Sequence, residues 1–339
     1  MQEENVESLR TLSTHVDAPS ASQRAQAPAR SVARFLFIAA AVWAVLDWCY
    51  LAFPLIRPGA DVVMEAKFQS LVKARLFSSE DSSRVLVFGN SKTLAGFRPE
   101  EFDAAFKPGV RSYNLGLPGD ARILPILKAA LAAGNVPTHI LLTIPWDGKP
   151  RPTVLDALRD DETILYALVP FRDLPRDLAA FVATSHFEFR QRYEDSRHER
   201  DRMLAQRGWY FIKGQSFFPS GELPDDYAIA TDHPAEFIPR DLPPSSFVLD
   251  EIDRLAREYG FKVVLVPGNM RRHAQAAAPA RDATRNLAIA GHPDMRVVGP
   301  DYWIYPPRDY SDAVHLNPIG ATAYTRDLAR LLADTGILN

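Results

Sequence analysis

The sequence has little cysteine and little net charge, and each of these properties excludes a class of site or partner. The single cysteine, Cys49, rules out an intramolecular disulfide and a cysteine metal cluster, and it leaves the redox compartment open. The net charge of −3 provides no basic surface for nucleic acid. The sequence also lacks a glycine-rich phosphate loop, a metal-ligand spacing and a dinucleotide fingerprint. We therefore expect no cofactor, no metal and no nucleic-acid partner.

Large apolar side chains are scarce in residues 1–33, which predicts a disordered tail. Residues 34–56 are almost entirely apolar, and about 20 such residues suffice for a helix to cross a bilayer. Trp48 and Tyr50 suit an interfacial aromatic belt, and Pro54 suits a helix end. A cleaved signal peptide fits less well, because the preceding segment is long and no Ala-x-Ala-like site follows. We predict a transmembrane helix at 34–56.

Close to the span, basic residues show a modest bias towards its N-terminal side. Arg24, Arg30 and Arg34 come before the apolar run from Phe35 to Ile56 with no acidic residue between them, whereas Arg57 after it is soon offset by Asp61 and Glu65. This bias favours a cytoplasmic tail and a C-terminal domain outside the cytoplasm. Asp47 interrupts the apolar run, and it has two interpretations of equal weight: it is hydrated near the outer interface, or it faces a membrane partner.

The remainder of the chain alternates strands with helices. Residues 57–83 form an amphipathic juxtamembrane linker, whose helix lies on the membrane surface or packs on the domain. Residues 84–339 are predicted to form one α/β domain, a three-layer, doubly wound parallel sheet. Residues 148–245 interrupt the alternation and are interpreted as a mainly helical insertion. The predicted strands of the sheet comprise 85–88, 112–115, 139–144, 261–266 and 295–298.

The first predicted strand ends at Gly89-Asn90-Ser91. Ser91 then lies at the carboxyl edge of the sheet, where open α/β sheets bind their ligands. A serine hydroxyl at that place is a candidate nucleophile, and it needs a base to take its proton.

His315 is the histidine with the clearest local setting. Asn317 suits the N-cap and Pro318 the first residue of the last helix, so the histidine lies in a loop fixed by that helix. Asp312, three residues earlier, can reach the imidazole and fix its tautomer. The pair is therefore a candidate base with its orienting acid.

Three motifs in this order resemble the SGNH/GDSL hydrolase superfamily. Gly89-Asn90-Ser91 matches the first motif, with Asn in place of Asp, and residues 114–119 match its Asn-x-x-x-x-Gly motif. Asp312 and His315 match the last motif before the C-terminal helix. The resemblance covers the chain from Arg84 onward apart from the insertion, and it implies a flavodoxin-like SGNH fold.

The resemblance also implies roles for individual residues. Ser91 is the expected nucleophile, His315 the general base and Asp312 its orienter. The backbone N–H groups of Ser91 and Gly119 are the expected donors of an oxyanion hole, which binds the negative oxygen that forms on the reacting carbonyl.

The chain departs from the family at its third motif, where Trp146 stands in place of a donor Asn. Asn90, Asn269 and Arg271 are candidate substitutes, and Trp146, Asn269 and Arg271 are also candidate substrate-binding residues. The departure favours acyl transfer over plain ester hydrolysis. It fits the resemblance to membrane-anchored proteins of alginate, cellulose or teichoic-acid O-acylation.

The resemblance therefore predicts an O-acyltransferase, or an accessory of one, that moves an acyl group, most simply acetyl, through an acyl-serine. Its substrate is a polysaccharide or acylated sugar, its partner a membrane-bound O-acyltransferase, and its location the bacterial inner membrane with the domain in the periplasm. Two alternatives stay open. One is a carbohydrate esterase or lipase with the same triad, and the other is a non-catalytic scaffold of a membrane complex.

Overall fold

The structure is a computed structural model, and it describes most of the chain outside the tail and parts of the insertion. The described residues are 21–52, 59–117, 123–143, 171, 174–211, 216–228, 247–272 and 286–338.

Helices and strands alternate along the described residues from position 83 onward. The helices are α1 (Ala21–Ala52), α2 (Gly59–Lys73), α3 (Ser91–Gly96), α4 (Pro99–Ala104), α5 (Ile123–Ala132), α6 (Leu174–Ser185), α7 (Phe189–Ala205), α8 (Phe247–Tyr259) and α9 (Pro318–Thr335). The strands are β1 (Ser83–Phe88), β2 (Val110–Asn114), β3 (His139–Leu142), β4 (Lys262–Leu265), β5 (Gly268–Arg271), β6 (Asn286–Ile289), β7 (His292–Val298) and β8 (Tyr302–Tyr305).

Six of these strands form one mostly parallel sheet in the order β2-β1-β3-β4-β7-β6. Only the edge pairing of β6 with β7 is antiparallel within it. The chain runs from β1 outward to β2 and then crosses to β3 on the other side of β1. This reversal creates the switch point at which doubly wound sheets bind ligands. The predicted α/β class and parallel sheet are confirmed, whereas the β6–β7 hairpin and the separate β5–β8 pair were not predicted.

The sheet is buried on both faces. Leu86 and Phe88 belong to one apolar cluster together with residues of α5 and α8. Val85 and Val87, which point the other way, belong to a second cluster together with residues of α9. Burial on both faces explains why these strands read as continuous apolar runs rather than as an alternating pattern. The sheet is therefore the middle of three layers.

Helix α1 contains the predicted membrane span. Its segment Ser31–Cys49 has a mean hydropathy of 1.8, and it is not buried against the remainder of the structure. The core helix of a soluble domain would be buried instead. The length and composition of the apolar segment of α1 suffice for it to cross a membrane. Helix α1 begins at Ala21, inside the predicted tail.

Two positions were predicted for the helix of the juxtamembrane segment, on the membrane surface or against the domain. In the structure this helix, α2, packs on the domain. Val63 and Leu71 are buried, and Leu71 joins the same apolar cluster as β1. Just after the helix, Leu76 also joins this cluster, and its N–H donates to Asn135 Oδ1 at 2.9 Å. The described residues of the predicted linker, 59–83, therefore contribute apolar side chains to the domain core.

The described part of the insertion is helical at first and irregular afterwards. Helices α6 and α7 lie in the mainly helical insertion predicted at 148–245, of which residues 148–170, 172–173, 212–215 and 229–245 lie outside the described residues. Trp209 Nε1 donates to Ala95 O at 2.7 Å, and Leu223 N donates to Tyr310 O at 3.0 Å. The insertion thus packs against both α3 and the loop that contains His315.

Candidate active site

Ser91 is the first residue of α3 and lies just beyond the carboxyl end of β1. Gly89 fits there because a side chain would not: a Cβ would collide with the hydroxyls of Thr93 and Thr143, which contact each other. The glycine therefore lets α3 start close to β3. The serine follows the carboxyl end of β1, as the sequence predicted, and β1 is the strand at which the strand order reverses.

Asn90 is the N-cap of α3. Its Oδ1 accepts a hydrogen bond from Lys92 N at 3.0 Å, which fixes the plane of the side-chain amide. None of the described residues accepts a hydrogen bond from its Nδ2, and the side chain is partly exposed. The Nδ2 group is thus able to donate to a ligand beside Ser91.

Asn114 joins the second motif to the serine helix, and it is completely buried. Its Nδ2 lies 2.7–3.2 Å from three carbonyl oxygens, those of Thr93, Leu94 and Phe97. Its Oδ1 accepts from Gly116 N at 2.9 Å. The side chain therefore connects the end of β2 and the following loop to α3.

Gly116 lies against the backbone of α3. A Cβ at this position would collide with Leu94 N, so the close approach of loop and helix requires glycine. The Gly116 carbonyl accepts a hydrogen bond from Lys67 Nζ at 2.6 Å, and Lys67 is only 2% exposed. Helix α2, which follows α1 in the chain, thus fixes one peptide of the predicted oxyanion loop.

The burial of Lys67 predicts a pH-dependent stability. Desolvation holds the pKa of its amino group well below the ordinary value of 10.5. Between this lowered pKa and 10.5 the unfolded chain therefore binds more protons than the folded chain, and stability rises with pH across that interval. We expect the free energy of unfolding to rise by up to about 1.4 kcal/mol per pH unit within that window.

Urea titrations between pH 7 and pH 10 measure this rise. Lys67→Met should remove the rise, and Lys73→Met, on an exposed position of the same helix, should keep it. The same rise in all three proteins would show that Lys67 does not cause it.

His315 lies in a short loop closed by a bridge between Tyr310 and Leu316. Ser311 N donates to His315 O at 2.9 Å across the loop. Asn317 caps α9, since its Oδ1 accepts from the N–H groups of Ile319 and Gly320, and Pro318 is the first residue of the helix. The predicted cap is confirmed, and it holds the histidine loop at the start of the last helix.

Asp312 binds both the ring and the backbone of His315. Its Oδ2 lies 2.7 Å from His315 Nδ1, and its Oδ1 accepts from the N–H groups of Val314 and His315. Burial raises the pKa of Asp312, but the hydrogen bonds from His315 and Val314 outweigh it, so the pKa lies below the ordinary value of 3.8. The carboxylate is therefore ionised at neutral pH and fixes Nδ1 as the protonated nitrogen.

The second ring nitrogen, His315 Nε2, is buried, and none of the described residues hydrogen-bonds to it. The Ser91 hydroxyl is thus not bonded to the ring in this state. In a triad this is the nitrogen that takes the nucleophile's proton. An orphan buried nitrogen is costly and calls for a partner, such as a substrate or a moving side chain.

Helix α3 and the histidine loop are neighbours. Thr325 Oγ1 of α9 donates to Gly96 O at 3.2 Å. A Cβ at Gly96 would lie 3.3 Å from a methyl group of Leu316, the residue after His315. The C-terminal end of the serine helix therefore lies beside α9 and Leu316.

Arg271 and Asn269, both on β5, support the histidine loop. The guanidinium of Arg271 donates to Ala313 O and Tyr227 O, each at 3.2 Å, and lies 5.1 Å from the centre of the Tyr227 ring. Asn269 Oδ1 accepts from the Tyr310 hydroxyl at 3.5 Å. Both side chains are buried. These contacts position the loop, and direct contact with substrate stays a prediction for both residues.

Two predicted site residues, Gly119 and Trp146, lie outside the described residues. Within the described ranges, no group of three or more His, Cys, Asp or Glu side chains is arranged to hold a metal ion.

Sequence reasoning missed the supporting roles of Asn114, Lys67 and Arg271. Asn114 entered only as part of a motif spacing, and its partners on α3 lie 17–21 residues away in the chain. Lys67 is 49 residues from Gly116. Such pairings leave no local pattern, so no signal in a single sequence could have found them.

The described site thus combines a serine at the end of β1 with a histidine–aspartate pair in a rigid neighbouring loop. No family model, curated protein or solved structure matches this chain.

Proposed function

We propose that this chain is a membrane-anchored O-acyltransferase of the SGNH type. It moves an acyl group, in the simplest case acetyl, through Ser91 to a hydroxyl of a cell-surface or secreted polysaccharide. The observation that carries the proposal is the His315–Asp312 pair, whose unpartnered Nε2 lies in the loop next to the serine helix. An ionised, buried aspartate on Nδ1 leaves Nε2 as the basic nitrogen, and a general base needs that arrangement.

The first half-reaction loads the serine. Ser91 Oγ attacks the carbonyl carbon of the acyl donor, and its proton passes to His315 Nε2. The bond from the acyl carbon to the donor's leaving oxygen or sulfur then breaks, and the leaving atom takes the proton from Nε2. Asp312 stabilises the imidazolium while the ring carries both protons. Donor binding brings Ser91 Oγ to hydrogen-bond distance of Nε2, as catalytic hydrogen bonds tighten in the complex.

The second half-reaction transfers the acyl group. A sugar hydroxyl gives its proton to His315 Nε2 and attacks the acyl carbon of acyl-Ser91. The ester bond to Ser91 Oγ breaks, and the proton returns from Nε2 to the serine. Donor and acceptor share one base, so they use the site in turn.

The oxyanion hole rests on backbone and amide donors. None of the described residues accepts from the Ser91 N–H, since the first N–H groups of a helix lack partners within it. Asn90 Nδ2 is a second donor fixed by its capping bond. With Gly119 N–H, these groups take the place of the Asn that the third motif lacks. One such donor is typically worth about 3 kcal/mol in the transition state.

The apolar helix α1 suggests the cellular setting. In the proposed arrangement it crosses the bacterial inner membrane once, with the N-terminus in the cytoplasm and the domain in the periplasm. A membrane-bound O-acyltransferase partner would supply the acyl group from the cytoplasmic side.

Ester hydrolysis is the second candidate function, because Ser91 is partly exposed and water can reach it. A carbohydrate esterase would use the same residues, with water in place of the sugar hydroxyl. The acceptor dependence of turnover separates the two functions.

The test uses the full chain in nanodiscs with a chromogenic acetyl ester, with and without a cello-oligosaccharide or a mannuronate oligosaccharide. Transfer predicts faster release of the chromophore with acceptor and an acetylated oligosaccharide, and neither with Ser91→Ala. Turnover at one rate regardless of acceptor would favour the esterase. Absence of turnover in every mixture would contradict both enzymes and leave a scaffold.

A further inference from the structure

The hairpin of α6 and α7 carries an exposed apolar surface, which we call the hairpin tip: Leu178, Phe181, Val182, Phe187 and Phe189. Phe187 is 84% exposed, Leu178, Val182 and Phe189 are each more than 40% exposed, and Phe181 is partly buried. Phe189 contacts both other rings, with centroids 6.2 Å from Phe181 and 6.1 Å from Phe187. The tip is therefore one continuous patch rather than scattered side chains.

The turn between the two helices holds the patch in an unusual backbone conformation. His186 has φ of 48° and Phe187 has φ of 70°, both in the left-handed region that non-glycine residues seldom adopt. Neither side chain is buried by this turn. The conformation thus brings an aromatic ring outward at a cost in backbone energy that burial within the domain does not offset.

The base of the hairpin contacts the membrane helix. The ring of Phe171 lies 6.2 Å from the ring of Trp43, in edge-to-face geometry. Leu174 N, at the start of α6, donates to Phe171 O at 2.9 Å. Trp43 lies inside the apolar segment Ser31–Cys49, about 9 Å from its end at 1.5 Å per residue. The hairpin therefore starts at the depth of the apolar segment.

We propose that the hairpin tip inserts into the same lipid bilayer that α1 crosses. The inference rests on the membrane span of the proposed function, but not on the chemistry at Ser91. The occupant of the surface is the lipid acyl region, because the hairpin is continuous with the span through the Phe171–Trp43 contact. Aromatic and aliphatic side chains at the interface gain free energy in proportion to the apolar area that leaves water.

Insertion at the tip would give the domain a second membrane contact beside α1. A single helix leaves a domain free to rotate about the helix axis, whereas two contacts fix the face that points at the bilayer. Helix α2, which follows the span, also packs against α7. Helix α2 also contains Lys67, which donates a hydrogen bond to the Gly116 carbonyl. The orientation of the hairpin therefore affects the position of the loop at Gly116.

The depth of a label on the tip tests the proposal in the full chain. A Cys49→Ser background provides a cysteine-free protein. Single cysteines then replace Phe187 at the tip, Phe37 within the span and Leu287 on the edge strand β6, which is 59% exposed. Each carries an environment-sensitive fluorophore, and the protein is reconstituted into phosphatidylethanolamine–phosphatidylglycerol vesicles. Iodide in the buffer and nitroxide-bearing lipids then quench the label from water and from the bilayer.

Insertion predicts that iodide quenches the Phe187 label at least about threefold less than the Leu287 label, and that the nitroxide lipids quench it strongly. A Phe187 label as open to iodide as the Leu287 label, with the Phe37 label protected, would overturn the proposal and keep the span. Exposure of the Phe37 label would overturn both. Protection from iodide without lipid quenching would indicate contact with a second copy, which also contradicts insertion.

Discussion

Ser91→Ala is expected to lower kcat/KM for acyl transfer by at least about 1,000-fold, because the reaction then loses its nucleophile. His315→Gln should cause a loss of similar size, since the serine is a poor nucleophile without its base. The double variant should lose no more than either single variant, because members of a triad act as a unit. Steady-state kinetics of the three proteins measures these losses.

The matched control for the histidine is His292. It is a buried histidine that also faces aspartates, with Nδ1 3.6 Å from Asp253 Oδ2 and Nε2 3.6 Å from Asp250 Oδ1. It lies on β7, against α8, and not in the histidine loop. His292→Gln should keep the kcat/KM of the parent protein. An equal loss in both histidine variants, or full activity in Ser91→Ala, would show that the proposed triad is wrong.

Asn114→Ala is expected to destabilise the protein by about 3 kcal/mol or more. Phe97 O and the N–H of Gly116 then lack a buried partner, and the carbonyl oxygens of Thr93 and Leu94 each keep only a backbone donor. The folded fraction should also lose activity, since the second motif and the serine helix are no longer joined. Urea denaturation measures the first effect, and kcat per folded molecule measures the second.

Asn135→Ala is the control that distinguishes a loss of stability from a loss of kcat per folded molecule. Asn135 is another buried asparagine, whose Nδ2 donates to Leu71 O and Ala74 O and whose Oδ1 accepts from Leu76 N. Its loss should destabilise the protein comparably, but its contacts join the segment after α5 to α2 and not to the serine helix. We expect kcat per folded molecule to fall only in Asn114→Ala. A fall in both variants would mean that activity follows overall stability.

The sequence predicted those features that depend on residues close to one another in the chain. The apolar run at Val85–Phe88 is a strand because both faces of the sheet are covered. Asn317 followed by Pro318 starts the last helix because each residue suits its position there. The Asp312–His315 pair is likewise local, since its atoms lie within four residues of chain.

The parts that the sequence did not predict depend on distant contacts. The β5–β8 pair joins residues 268–271 to residues 302–305, and neither strand has an alternating pattern of its own. Arg271 was predicted as a candidate substrate-binding residue, yet its guanidinium is buried against Tyr227 and the histidine loop. Such roles depend on which segments the fold brings together, and periodicity carries no information about that.

Covalent labelling of Ser91 tests the central claim most directly. The full chain is incubated with the acetyl ester, quenched in acid within the first turnover, digested and mapped by mass spectrometry. The account predicts an acetyl group on the peptide that contains Ser91, absent in Ser91→Ala and in His315→Gln, and accumulating in the parent protein when acceptor is omitted. An acetyl group on another residue, or release of the chromophore without any acylated peptide, would contradict it.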